Sequence, residues 1–152
     1  MLDNAIHHQA QTAAQQSAIR LMSYADAVWP DGPMLDLVIE QVLNEAVSFS
    51  VNARRVLDAL KTTNVVQQSE WDKDIGQPIE SETDLRRCLN AIIHAHELQV
   101  IVSPTGRTKF ADGRNVQTHG LLANTDRYAN LHIDLFGLAW SFMTMPRQTK
   151  KQ

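Results

Sequence analysis

Asp84-Leu85-Arg86-Arg87-Cys88-Leu89-Asn90-Ala91-Ile92-Ile93-His94-Ala95-His96-Glu97 has the spacing of an amphipathic helix. A helix turns by roughly 100° per residue, so with Leu85 at zero, Leu89, Ile92 and His96 lie within about 40° of it. Cys88 and Ala95 lie within about 80° on the same side, which makes that arc the core face. Asn90, His94 and Arg87 fall near about 140°, 180° and 200°, on the face turned away from the core. Arg86 lies at the boundary, near about 100°. The two histidines therefore separate. His96 reads as a core-edge residue satisfied by a hydrogen bond. His94 shares a polar stripe with a cation and an amide at i, i+3 and i+7. A nearby arginine disfavours an imidazolium, so the cluster has no evident stabilising purpose. Histidine is a common general base, which makes the stripe a candidate site. The plain alternative is a solvated helix face. Ser81, followed by Glu82-Thr83-Asp84, has the form of a capping box with an acidic first turn, and the helix is expected to run to Glu97.

Upstream, the spacing predicts two long helices. The first spans Asn4 to Trp29, is rich in Ala and Gln, and carries a stripe of small residues. Pro30-Asp31-Gly32-Pro33 stops it. The second, Met34 to Leu60, has the broadest apolar stripe in the chain, from Leu35 and Val38 through Val42 and Ala46 to Leu57. Arg54 and Arg55 near its end suit the negative pole of the helix dipole. Residues 62–80 form a polar connection around Trp71, with a short helical turn, a mobile lid or a surface excursion as its readings. Downstream, Leu98 to Ser103 reads as a strand ended by Pro104-Thr105-Gly106. Thr105 to Thr125 reads as a polar loop, locally basic through Arg107, Lys109 and Arg114. Arg127 to Ile133 reads as a second strand, able to pair with the first as an antiparallel ribbon. Asp134 to Met145 reads as a short, buried closing helix with Phe136, Trp140 and Phe142 in the core. Residues 147–152 form a polar tail.

With 152 residues, 43% hydrophobic and 20% charged, the chain has the composition of one globular domain, taken here as residues 1–146. A formal net charge of −3 excludes a generally basic nucleic-acid binder while leaving room for a local basic site. The single cysteine, Cys88, excludes an intramolecular disulfide and suits a reducing, cytoplasmic setting. No signal-peptide pattern and no membrane span are found in the sequence. Nor is there a phosphate loop, a HExxH motif or a GxSxG elbow, so no cofactor is expected. A metal site from His119, His132 and Asp134 is a remote alternative to the expectation of none.

The segment Leu85 to Ala95 resembles the signature helix of HEPN-domain proteins: an arginine, four to six residues, then a histidine, often with a polar residue between. Arg87 and His94 hold those positions at the long end of the range, and Asn90 the polar one. The resemblance implies a mainly α fold, a HEPN-like helical bundle with a small antiparallel β ribbon and a short C-terminal helix. It implies metal-independent RNA cleavage in a toxin or phage-defence setting. His94 is then the general acid or base, Arg87 the phosphate ligand, Asn90 an orienting residue and Arg86 a further substrate ligand. The partners implied are RNA, a second copy docked through this helix, and an antitoxin or regulatory protein. A HEPN-like binding or dimerisation module without catalysis is the alternative.

Overall fold

The computed structural model describes residues 2–68, 79–110 and 113–145. Among them are α1 (Leu2–Asp26), β1 (Trp29–Pro30), α2 (Pro33–Leu60), β2 (Glu80–Ser81), α3 (Leu85–Ile93), β3 (Glu97–Pro104), β4 (Asn115–Asn124), β5 (Leu131–Asp134) and α4 (Leu135–Met143).

The two long helices form, but the first ends at Asp26, and Trp29–Pro30, expected as its end and stop, pair with β4 as β1. In α1, Ala10, Ala14, Ala18, Leu21 and Ala25 are buried, and their small side chains let α2 approach closely. The pairs Arg20–Glu45 and Tyr24–Gln41 run in opposite directions along the two helices, so the helices are antiparallel. Pro33 opens α2, where its missing N–H costs nothing. Lys61 closes it in the left-handed region at φ 50°. Arg54 does not serve the helix end; it lies 3.8 Å from Asp58, one turn on. Phe49 of α2 meets Phe142 of α4 edge-to-face at 5.5 Å in the centre of the core.

A mixed five-stranded sheet replaces the small ribbon, so the fold is α+β and not a mainly helical bundle. The source of the difference is Asn115–Asn124, expected as loop, which is the longest strand and pairs on both sides. Along one edge of β4, β3 pairs antiparallel from Glu97↔Asn124 to Pro104↔Val116. Along the other, β5 pairs antiparallel at Gly120↔Asp134 to Ala123↔Leu131, and β1 pairs near Val116. The expected ribbon partners are thus separated by β4. β5 is shorter than expected, and β2 joins it in parallel.

The polar first half of β4 hid its burial. Gln117 and Thr118 are buried, and both donate to the carbonyl end of α1: Gln117 Nε2 to Asp26 O (3.2 Å) and Thr118 Oγ1 to Tyr24 O (3.2 Å). A bulge at His119 re-aims the strand between Gly120 and Thr118. In α4, Phe142 is core, whereas Phe136 and Trp140 are exposed, contrary to expectation. Trp71 and the tail 147–152 lie outside the described residues. No helix among the described residues is long and apolar enough to cross a membrane.

Candidate active site

α3 starts later and ends earlier than its sequence suggests. Asp84, not Ser81, is the N-cap, and its carboxylate accepts from Arg87 N–H at 3.0 Å. Residues 62–68 pin this end: Asn64 O accepts from Leu85 N–H (2.9 Å) and Thr83 O from Val66 N–H (2.7 Å). The helix stops after Ile93 because the chain turns into the sheet, where His96 N–H donates to Asn124 O at 3.0 Å. His96 is exposed as a result, not at the core edge. His94 becomes the C-cap residue, still bonded through its N–H to Asn90 O at 2.9 Å. The core face is as expected: Leu85, Cys88, Leu89, Ala91 and Ile92 are buried.

The opposite face opens onto a cleft of about 470 Å³. Arg87, Asn90 and His94 line it from α3, and Asp126, Arg127 and Tyr128 line it from the β4–β5 turn. That turn is built on Thr125, whose hydroxyl accepts from the N–H groups of Arg127 and Tyr128, each at 3.0 Å. Its exit is the left-handed Asn130 at φ 52°, whose N–H donates to Asn124 Oδ1 at 2.8 Å. The Arg127 guanidinium lies over the Tyr128 ring, 5.9 Å from its centroid.

Glu82 ties the two walls together. Its Oε2 accepts from its own turn, Thr83 N–H at 2.9 Å and Asp84 N–H at 3.3 Å. Its Oε1 accepts from Tyr128 O–H at 2.8 Å and from Arg87 Nη1 at 3.4 Å. Burial pushes the Glu82 carboxyl up. The hydrogen bonds from Tyr128, from the backbone of Asp84 and Thr83, and from Arg87 outweigh this and hold it below the usual carboxylate range. Burial and the Glu82 partnership push the Tyr128 phenol up, against the lowering pull of Arg127 and Arg87. Tyr128 therefore stays protonated and donates.

Three of the four expected site residues meet in this cleft. The fourth, Arg86, faces elsewhere: it pairs with Asp58 and donates to Thr62 O at 3.3 Å. Asn90 Oδ1 is buried with no hydrogen-bond partner. Sequence reading missed Arg127 and Tyr128, which it put in a strand, and Glu82, which it took for a first-turn residue of the helix. Cys88 is inert in this setting. Burial, with the Glu82 and Asp84 charges behind it, pushes its thiol up to about 12. His119 and His132 are both held below the usual imidazole range by burial, with Asp134 opposing in part. Among the described residues no three His, Cys, Asp or Glu side chains are arranged to hold a metal ion.

The chain matches no protein-family model, no curated protein and no solved structure.

Proposed function

We propose that the cleft binds a phosphodiester of single-stranded RNA and that His94 cleaves it without a metal ion. The observation that carries this is the convergence of an exposed histidine, two arginines and a tyrosine from two separate elements on one open cleft. The resemblance of the α3 motif to HEPN signature helices supports it. The mixed sheet does not, so the fold lends the proposal no weight. Arg87 is 57% exposed at its side chain and engages Glu82 through one nitrogen only, leaving further guanidinium donors for a phosphate oxygen. Arg127 faces the same space from the turn.

In the proposed reaction His94 takes the proton of the ribose 2′-hydroxyl. The 2′-oxygen attacks the adjacent phosphorus, the bond to the 5′-oxygen breaks, and water supplies the proton that completes the 5′-hydroxyl. The products are a 2′,3′-cyclic phosphate and a 5′-hydroxyl end. Arg87 and Arg127 stabilise the charge that grows on the phosphoryl oxygens. Asn90 lies one turn before His94 on the same face, and in the proposed reaction its side chain orients the imidazole ring.

The test is cleavage of a mixed RNA in EDTA by the wild-type protein and by His94→Ala, with folding matched by circular dichroism. Cleavage by the wild type that is lost in His94→Ala is expected. Equal cleavage by the variant, or folded wild-type protein that binds no RNA, overturns the proposal. The grip of Glu82 on Arg87 favours a second reading, a binding module without catalysis. Binding without cleavage would select it.

A further inference from the structure

Resting on the reading of the cleft as an RNA site, we infer that it engages a single phosphodiester with its flanking nucleosides, not a long run of RNA backbone, because Glu82 and Asp126 offset the charges of Arg87 and Arg127. Two cations face the cleft. Asp126 stands in its wall, and the Glu82 carboxylate lies 3.4 Å from Arg87. With neutral histidine, the formal charge of this group is zero. A volume of about 470 Å³ suits a ligand of nucleotide size.

Nor, among the described residues, does a basic track lead away from the cleft. Arg20, Arg54, Arg86, Arg107 and Arg114 are each paired with a carboxylate: Glu45, Asp58, Asp58, Asp26 and Asp31 respectively. Arg55 is exposed on α2 and lines no part of the cleft, Lys61 lies beside Arg86, and Lys109 precedes β4 at the end away from residues 125–128. Proteins that follow a nucleic-acid strand present a continuous positive groove, and their affinity grows with the number of phosphates neutralised. Among the described residues two arginines are the whole cationic complement of the cleft, and the group holds two carboxylates beside them. Recognition is then short-range. The arginines hold one phosphate, and Asp126 is free to accept from a ribose hydroxyl or a base N–H.

The experiment is calorimetric titration of the wild-type protein with two non-cleavable probes, a 2′-O-methyl uridine dinucleotide and a 2′-O-methyl oligouridine of about 20 residues, over a range of salt. The expected result is the same affinity per site within about threefold. The expected slope of log K against log salt is about −0.7, from one neutralised phosphate on a single strand. Asp126→Asn, an exposed change that leaves the Glu82 contacts alone, is expected to tighten dinucleotide binding at least threefold, and Glu82→Gln to move it the same way. Long RNA binding more than about thirtyfold tighter than the dinucleotide, with a slope steeper than about −3, overturns the inference while leaving the cleft an RNA site. No change in Asp126→Asn also counts against it. Failure of both probes to bind sinks the underlying reading and the inference with it.

Discussion

Gly137→Ala is the substitution whose effect the structure defines most sharply. Gly137 is the third residue of α4, and its N–H donates to the cap carboxylate of Asp134 at 2.6 Å. A Cβ built there falls 1.9 Å from Gln67 O and 3.1 Å from Gln67 C. Ordinary contacts of carbon with heavy atoms begin near roughly 3.5 Å, so the backbone at Gln67 must retreat by more than about 1 Å. That segment is held by Val66 N–H to Thr83 O (2.7 Å), Gln68 Nε2 to Glu82 O (2.9 Å) and Asp134 N–H to Gln68 Oε1 (2.9 Å). Overpacking costs about 1–3 kcal/mol, and each strained hydrogen bond adds about 0.5–1.5 kcal/mol. The better helix propensity of alanine returns up to about 1 kcal/mol. A net loss of about 2–4 kcal/mol is expected, a fall in Tm of about 5–15 °C for a chain of this size. Gly113→Ala is the control. Nothing lies within 4 Å of its Cβ position, and it should stay within about 0.5 kcal/mol of wild type. Urea denaturation and thermal melts of the three proteins measure the difference. A Gly137→Ala protein within about 1 kcal/mol of wild type would refute the crossing of residues 65–68 over α4. Because Gln68 holds the Glu82 carbonyl, the same variant should also weaken binding in the cleft.

Three further outcomes are expected. His119 and His132 are depressed by burial, so between their folded pKa values and about 6.5 the unfolded chain binds more protons than the native one. Stability should therefore fall as the pH drops below about 6.5 and level off above about 7; urea midpoints at pH 5 and 7.5 check the sign, and a midpoint no lower at pH 5 contradicts it. Arg86→Ala should leave RNA binding within about twofold while Arg87→Ala loses at least about tenfold, since a charged hydrogen bond contributes about 1.5–3 kcal/mol; equal losses would mean that Arg86 also reaches the ligand. Cys88 should resist a thiol reagent at pH 8 until the protein unfolds, because its thiol is buried and pushed up to about 12; rapid native-state labelling would show that α3 opens readily.

The helices and β3 were legible because their burial follows a simple period. α2 buries Leu35, Val38, Val42, Ala46 and Phe49 at helical spacing, and the wheel of α3 separates Leu85 and Leu89 from Arg87, Asn90 and His94 as the sequence suggests. β4 was not legible because it is buried on both faces while carrying Gln117, Thr118 and His119. Its polar groups are satisfied by carbonyls of α1 some ninety residues earlier, a long-range arrangement without a local signal. The end of α3 was misread for a related reason. No Gly or Pro follows Ile93, and the stop comes from strand pairing at Asn124. Half of the candidate site was visible as a helical stripe. The other half depends on a turn closed by Thr125 and on Glu82 meeting Tyr128 across 46 positions of sequence, and only the folded sheet brings those together.

The most direct test of the central claim compares an RNA oligonucleotide with its all-2′-deoxy counterpart, incubated with the wild-type protein in EDTA, with end-group analysis of the products. RNA cut to fragments ending in 2′,3′-cyclic phosphate, with the DNA left intact, is the result predicted for His94 acting on a 2′-hydroxyl in this cleft. Intact RNA under conditions where the folded protein binds it, or equal cleavage of the DNA, would contradict that chemistry.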